Sequence, residues 1–197
     1  MVESVGKMIR VEEQPEPADF DAKVRKPGLR KLKSSGMADP AIWRLCLEDL
    51  HDAYNGICAY LGIRIPRGTG ARSVDHFVAR KSDISLAFEW SNFRLACALM
   101  NSRKNKFDDV LDPFKVDDSW FFVNQLNGSI RPASGIPDTV TKQVKDTIDR
   151  LGLDEPDCRR ARIEHIDLFH TLGRKSDYLD WHSPLLAKVL LSGPATS

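Results

Sequence analysis

Two short segments with the pattern of β-strands, 73–76 and 93–97, constrain the fold of this chain more than any other part of its sequence. The first alternates polar and apolar residues and ends in Asp75 and His76, whereas the second is a mostly apolar stretch that directly follows Asn92. Neighbouring side chains on a strand point to opposite faces, but at a strand end the chain can curl and bring both toward one site. A carboxylate and an imidazole are therefore expected together where the first strand ends.

Helical patterns account for most of the remaining chain. Asp39 is a good N-cap and Pro40 suits the first helical position, so a helix is predicted to begin there and to end near the Asn55–Gly56 turn. The pair Asn127–Gly128 predicts a β-hairpin between 120–126 and 129–131. Three further helices are predicted at 137–151, with Gly152 as the C-terminal cap, at 156–172, ended by Gly173, and at 178–191.

Residues 1–38 are predicted to form an irregular N-terminal arm, because Pro15, Pro17 and Pro27 interrupt it. The stretch 23–33 within this arm holds six basic residues and no acidic one. This basic run could contact phosphates. It could equally belong to a solvated tail, or to a strap that lies over the domain.

The composition fits a globular protein, with 42% hydrophobic residues. No apolar run approaches the roughly 18 residues of a membrane span, and the N-terminus lacks the apolar core of a signal peptide, so a cytoplasmic location without membrane contact is expected. The formal net charge is only +1, so a nucleic-acid function must depend on local patches. Between residues 72 and 106, seven basic residues outnumber three acidic ones, and a polyanion is expected to dock there.

Asp75 and His76 are residue types that phosphodiester hydrolysis requires. A carboxylate is a hard oxygen ligand suited to Mg²⁺ or Mn²⁺, and a neutral imidazole can take a proton from water near neutral pH. Asn92 follows His76 by sixteen residues, and Asn101 follows Asn92 by nine. Asn101 is also expected to open a helix that contains Lys104.

This order of strand, Asp-His pair, long loop, Asn, second strand and helix with Asn-x-x-Lys resembles the HNH endonuclease family, whose active site is a ββα-metal fold. The resemblance is strong across 57–107 and implies an α+β fold, in which a ββα-metal nuclease core carries flanking helices and an extra β-hairpin. The implied layout is an irregular arm (1–38), the nuclease core with its preceding helix and following hairpin (39–135), and a helical region packed on the core (136–197).

The resemblance also implies a role for each matching residue. Asp75 and Asn101 are expected to hold one divalent cation, Mg²⁺ or Mn²⁺, while His76 acts as the general base. Asn92 is expected to brace the loop that holds the histidine, which completes a catalytic set of four residues. Lys104 is expected near a phosphate oxygen. The residues expected to contact nucleic acid are Arg72, Arg80, Lys81, Arg103, Lys104 and Lys106.

Relatives in this family commonly carry two C-x-x-C pairs that hold structural zinc. Here only the first cysteine of each pair is present, as Cys58 and Cys97, and the second positions are Leu61 and Met100. Structural zinc requires four ligands, so we expect none. Leu61 and Met100 are expected to pack with the two cysteines as a small apolar plug.

The function expected from this resemblance is that of a metal-dependent HNH endonuclease that hydrolyses nucleic acid, with DNA as the expected substrate. The resemblance extends to bacterial HNH proteins linked to phage defence, some of which work beside an ATPase partner. Two alternatives stay open: a non-catalytic nucleic-acid-binding relic, and a nuclease subunit that is active only with a partner such as an ATPase or another defence-system subunit.

Overall fold

The computed structural model describes residues 10–173 and 176–191, and over these residues the fold is α+β, as predicted. Four short strands form two separate antiparallel sheets of two strands each, and helices supply most of the regular structure. The strands are β1 (Arg72–His76), β2 (Phe93–Cys97), β3 (Phe121–Val123) and β4 (Ile130–Pro132). The helices are α1 (Lys26–Ser35), α2 (Pro40–Trp43), α3 (Leu47–Ala53), α4 (Ala98–Lys104), α5 (Asp138–Leu151), α6 (Pro156–Thr171), α7 (Ser176–His182) and α8 (Pro184–Leu191).

The chain divides into two compact units. The first unit comprises Glu12–Ala59 and Ile65–Asp108 and contains β1, β2 and α1 to α4. The second unit comprises the described residues of Met1–Val11, Tyr60–Arg64 and Asp109–Ser197, and it contains the remaining elements. Within the described part of the chain, every helix falls short of the length and apolarity that a bilayer crossing requires.

The first unit contains both of the strands that the sequence predicted around the Asp-His pair. β1 and β2 pair antiparallel, with His76 opposite Phe93, and Phe93 and Leu95 are buried. β2 runs directly into α4. This helix begins at Ala98, so Asn101 lies in its middle and the predicted helix start was three residues late. Ala98, Leu99 and Met100 are all good helix formers, which explains the earlier start.

The helical segment that precedes β1 begins and ends where the sequence predicted. The Asp39 side chain accepts a hydrogen bond from the Ala41 backbone nitrogen at 2.9 Å, which caps the start of α2. A 3₁₀ turn over Arg44–Cys46 then leads into α3. After α3, Asn55 and Gly56 both adopt positive φ, and the helix cannot continue through this left-handed turn.

Of the predicted irregular arm, residues 1–9 lie outside the described part of the chain, and residues 10–19 form neither helix nor strand. The prediction was wrong for Asp21–Ser35. A π-helical turn over Asp21–Arg25 continues directly into α1. Pro27 does not prevent this because it lies in the first turn of α1, where the missing N–H has no intrahelical partner to lose. Phe20 and Val24 are fully buried, so tertiary packing holds the segment in place.

The basic run at the start of α1 is partly neutralised within the first unit. Lys23 Nζ lies 2.6 Å from Asp49 Oδ2, and the guanidinium of Arg25 lies 3.0 Å from Glu89 Oε2. Arg25 also pairs with Glu16. These ion pairs support the strap interpretation of the segment rather than a free phosphate-binding tail.

The predicted hairpin lies in the second unit, where β3 and β4 pair antiparallel. Asn127 and Gly128 fall in the connection between them, which spans 124–129 and is longer than the two-residue turn that Asn-Gly often forms. The Asn127 side chain accepts a hydrogen bond from the Ser129 nitrogen at 3.0 Å, and Gly128 has φ of 67°. The turn chemistry was therefore predicted correctly, while the strands are shorter than expected.

The C-terminal helices follow the sequence pattern except for the last one. Gly152 adopts φ of 59° and ends α5, as predicted. The helix predicted over 178–191 is instead two helices, α7 and α8, separated at Ser183. Pro184 explains the break because it has no N–H to continue the helix. The Ser183 hydroxyl accepts from the Leu186 nitrogen at 3.5 Å and caps α8.

Candidate active site

A cavity of about 1010 Å³ in the first unit is lined by Asp75 and His76 together. The end of β1 thus presents both neighbouring side chains to one space, as the sequence predicted. Asn101, from α4, lines the same cavity. Five basic residues also line it, namely Arg44, Arg72, Arg80, Lys81 and Lys106. The cavity combines a carboxylate, an imidazole and an amide with a strongly cationic wall.

His76 is held in one orientation by a hydrogen bond and two ring contacts. Its Nε2 atom lies 2.9 Å from the backbone oxygen of Ala87. A carbonyl oxygen only accepts, so Nε2 carries the proton and the neutral ring has its lone pair on Nδ1. The rings of Trp43 and Phe93 meet the imidazole edge-on, with centroid distances of 4.9 and 5.1 Å. His76 is therefore a fixed ring with one nitrogen able to accept a proton.

The surroundings of His76 favour its neutral form. The pKa of the ring is lowered from 6.5 to about 4, mainly by burial and also by the positive charges of Arg80 and Lys104, while the hydrogen bond to Ala87 acts in the opposite direction. The side chain is 8% exposed. At neutral pH the imidazole is consequently unprotonated, which is the state that a general base requires.

Asn92 braces the loop that follows His76, which is the contact that the sequence predicted for it. Its side-chain oxygen accepts from the Val78 nitrogen at 2.8 Å, and its amide nitrogen donates to the backbone oxygens of Val78 and Leu86, both at 3.1 Å. The Asn92 backbone oxygen also accepts from the Phe77 nitrogen at 2.9 Å. Asn92 is buried and does not line the cavity, so it is a positioning residue.

Lys104 occupies a different place from the one that the sequence predicted. Its ammonium group is fully buried, donates to the backbone oxygens of His76 (2.9 Å) and Phe77 (2.8 Å), and lies 3.5 Å from Asp75 Oδ2. It cannot reach a phosphate in the cavity from this position. The expected nucleic-acid contact is thus corrected to a structural one, since the amine ties α4 to the end of β1. The sequence gives no sign of this burial, because the partners of Lys104 are backbone oxygens, which every residue carries.

Asp75 and Asn101 carry the kinds of ligand atom that a hard divalent cation prefers. The Asn101 amide nitrogen donates to Ser73 Oγ at 3.1 Å and to the Val74 backbone oxygen at 3.4 Å, so its donor side faces β1 and its oxygen is the group left to accept. An amide oxygen and a carboxylate are ligand types that Mg²⁺ and Mn²⁺ use, with water and substrate phosphate completing the shell. Within the described residues no cluster of three or more His, Cys, Asp or Glu side chains is suited to hold a metal, so a two-ligand site is the arrangement to test.

The cationic side chains of the cavity differ in the groups that they contact. Arg72 pairs with Glu48, whereas no carboxylate in the described part of the chain pairs with Arg80. The Arg80 guanidinium lies 4.3 Å from the Trp43 ring centre, and burial lowers its pKa from the usual value. Lys81 and Lys106 are exposed on the same cavity, while Arg103 is not among its lining residues.

Sequence reasoning missed Trp43 and Arg44 as parts of this site. Both follow the cap at Asp39, and the apolar spacing assigned Trp43 to the core. Trp43 is indeed buried, yet its ring also contacts His76 and Arg80. The local pattern carries no signal for this because it depends on how the helical segment packs against β1.

The residues at the positions where related proteins carry zinc-binding cysteines are divided between the two units. Cys58, Cys97 and Met100 belong to the first unit, where Cys58 and Met100 are buried and Cys97 is half-buried. Leu61 belongs to the second unit.

No protein-family model matches the chain, and no curated protein matches it either. Function is therefore inferred from the cavity residues themselves.

Proposed function

We propose that this chain is a metal-dependent endonuclease of the HNH type, which hydrolyses phosphodiester bonds of nucleic acid, with DNA as the expected substrate. The observation that carries the proposal is the single cavity in which Asp75, His76 and Asn101 meet five basic side chains. A carboxylate, a neutral imidazole and a cationic wall are the groups that hydrolysis of an anionic ester requires.

His76 is the proposed general base. Its Nε2–H donates to the Ala87 oxygen, which leaves Nδ1 to accept the proton of the attacking water. Asn92 bonds to both Val78 and Leu86, so it keeps the loop in the position where the Ala87 oxygen meets the His76 ring. As the water loses its proton, the ring becomes an imidazolium, and its bond to the Ala87 carbonyl stabilises the added charge.

Arg80 is the proposed principal cation for the phosphate. The Trp43 ring supports its guanidinium, and no described carboxylate competes for it. A planar guanidinium can bind two phosphate oxygens at once, and its charge offsets the negative charge that grows on the phosphate during attack. Lys81, Lys106 and Arg44 supply further charge along the cavity.

Asp75 and Asn101 are the residues that would hold Mg²⁺ or Mn²⁺. The chemistry that such an ion supplies is polarisation of the scissile phosphate and stabilisation of the leaving oxygen. Within the protein itself, the buried Lys104 amine contacts Asp75 and the His76 carbonyl, so it keeps both candidate groups at the end of β1.

The near-neutral net charge of the chain favours a second possibility, in which the nuclease needs a partner to engage its substrate. A formal charge of +1 gives little long-range attraction for a polyanion. An ATPase or another defence-system subunit could supply that attraction. A protein that is inactive alone but cleaves after such a partner is added would support this version.

The test is an assay of the purified protein on plasmid DNA and on RNA, with Mg²⁺, Mn²⁺ or EDTA, beside His76→Ala. Metal-dependent cleavage that disappears in the variant is the expected result. The matched control is His51→Ala, since His51 is also buried and also bonds a carbonyl, that of Ile65 at 3.0 Å, but does not line the cavity. If His76→Ala cuts as fast as the parent, His76 is not the base. If the parent cuts nothing but binds DNA in a salt-sensitive way, the non-catalytic relic becomes the better account.

A further inference from the structure

Two cysteines of the first unit lie in direct contact. The Cys97 backbone nitrogen donates to Cys58 Sγ at 3.4 Å. Next to them, the Ala59 nitrogen donates to the Leu95 oxygen at 2.8 Å, which fixes the backbone before residue 60 against β2. The fold therefore holds the Cys58 sulfur against the backbone of Cys97.

The two thiols differ in exposure and in acidity. Cys58 is 1% exposed, whereas Cys97 is half-buried and can be reached from solvent. The hydrogen bond from Cys58 lowers the pKa of Cys97, burial opposes this, and the backbone N–H groups of Met100 and Leu99 lower it further. By contrast, burial raises the pKa of Cys46 to about 12. Cys97 is the cysteine with the features of an attacking thiol, and Cys58 is placed to resolve it.

We infer that Cys58 and Cys97 are a redox modification site, which forms a reversible disulfide when the protein meets an oxidised low-molecular-weight thiol. The inference is independent of the nuclease proposal because it depends only on the contact between Cys58 Sγ and the Cys97 backbone nitrogen and on the unequal exposure of the two thiols. It assigns a role to the two cysteines that the function proposed above does not use.

The reaction proceeds in two exchange steps. The Cys97 thiolate attacks one sulfur of the small disulfide, whose S–S bond breaks, and one small thiolate leaves with the electron pair. Cys58 then loses its proton, and its sulfur attacks the Cys97 sulfur of the mixed disulfide, which expels the second small thiolate. In total, two protein thiols are oxidised to one disulfide and one small disulfide is reduced to two thiols.

The bond would tie the segment before residue 60 to the residue that precedes α4. It would close a loop of about 40 residues, which constrains the unfolded chain, so the oxidised protein should melt about 5 °C higher or more. α4 carries Asn101, so oxidation can also be tested for an effect on cleavage. That second readout rests on the proposed function.

The experiment uses the full chain, incubated with oxidised glutathione and then alkylated and digested without reduction. The expected result is loss of two free thiols, a fall of about 2 Da in mass and a linked peptide that joins Cys58 to Cys97. Cys58→Ser should stop at one glutathione adduct on Cys97. Cys97→Ser should give no adduct on the buried Cys58, and the control Cys46→Ser should behave as the parent does.

Three results would overturn the inference. They are retention of all four thiols in the folded parent, a linked peptide that involves Cys46 or Cys158, and a Cys58–Cys97 link that forms only in denaturant. The parent protein alone decides these outcomes, so they do not depend on whether the serine variants fold. Addition of dithiothreitol must also restore both thiols and the lower Tm, since a permanent bond would contradict a reversible site.

Discussion

The Lys104 ammonium nitrogen lies 3.5 Å from Asp75 Oδ2, and both side chains are almost completely buried. A buried charge is tolerated when it is paired and hydrogen-bonded, and Lys104 also donates to two backbone oxygens. The pair joins α4 to β1 at the place where the candidate catalytic residues lie. The integrity of the cavity therefore depends on a cation that no substrate touches.

Lys104→Met should lower the free energy of unfolding by about 3–5 kcal/mol, because it removes a charged partner from the buried Asp75 carboxylate. The matched change Lys106→Met affects an exposed lysine on the same cavity, so its stability should stay within about 0.5 kcal/mol of the parent. Urea unfolding followed by circular dichroism measures both values. Equal stability of the two variants would contradict the assigned role of Lys104.

His76→Ala should reduce the cleavage rate by about 10²–10⁴-fold, the range expected for loss of a general base. It should also lower the free energy of unfolding by about 1–3 kcal/mol, since the ring packs against Trp43 and Phe93. His51→Ala should lose similar stability and keep its activity. A parallel loss of activity in both variants would show that the effect of His76 is structural.

Arg80→Ala should lower kcat/KM by about 10²-fold, because the charge that develops on the phosphate then lacks its main counter-charge. The dependence of binding on salt should also weaken by about one phosphate contact. Arg160→Ala is the control, since Arg160 is exposed on α6 and pairs with Glu164. Cleavage rates and binding measured across a salt series test this, and an unchanged salt slope would remove Arg80 from the phosphate site.

Gly28→Ala should destabilise the first unit by about 1–3 kcal/mol, because an added methyl group would overlap the Phe88 ring. Phe88 follows Ala87, whose carbonyl holds His76, so cleavage should fall as well. Gly68→Ala, at a position with open space, should change stability by no more than about 0.5 kcal/mol. Thermal melting and the plasmid assay give both readouts. An unaffected Gly28→Ala protein would mean that α1 does not pack closely on this loop.

Stability should fall below about pH 6.5 through His165, which lies in the second unit. Burial, followed by the charge of His182, lowers the pKa of His165, while Glu164 opposes this. The unfolded chain therefore takes up a proton at a higher pH than the folded one does, and the free energy of unfolding decreases as the pH falls from 6.5 toward the folded pKa. The Tm of His165→Gln should drop less between pH 7.5 and 5.5 than that of the parent, whereas exposed His170→Gln should match the parent.

Most helix boundaries could be predicted because local chemistry determines them. Asp39 caps α2 through its own side chain, and Gly152 ends α5 in a left-handed conformation that glycine adopts at no cost. The segment around Phe20 and Val24 could not be predicted, since its helix depends on burial against residues far away in sequence. The break at Pro184 was foreseeable from the proline alone, and the apolar spacing around it concealed the break.

The candidate site, too, could be predicted only where the local sequence determines the structure. The strand that carries Asp75 follows from a short contiguous pattern, and the bracing contacts of Asn92 were implied by the family resemblance. The burial of Lys104 could not be predicted, because its ammonium group donates to the backbone oxygens of His76 and Phe77, and backbone oxygens carry no sequence signal. Outside the candidate site, the stacking of His165 on His182 in the second unit, with ring centres 5.8 Å apart, also lacks any sequence signal, since the two residues lie on different helices.

Both compact units are assembled from separated stretches of the chain, which passes between them after residues 11, 59, 64 and 108. A gene fragment that encodes 12–108 would contain every residue of the cavity, but it would also carry the five residues of Tyr60–Arg64 away from the unit to which they belong. A single recombination event cannot separate the two units cleanly. The stretch 12–108 therefore cannot be excised without removing Tyr60–Arg64 from the second unit.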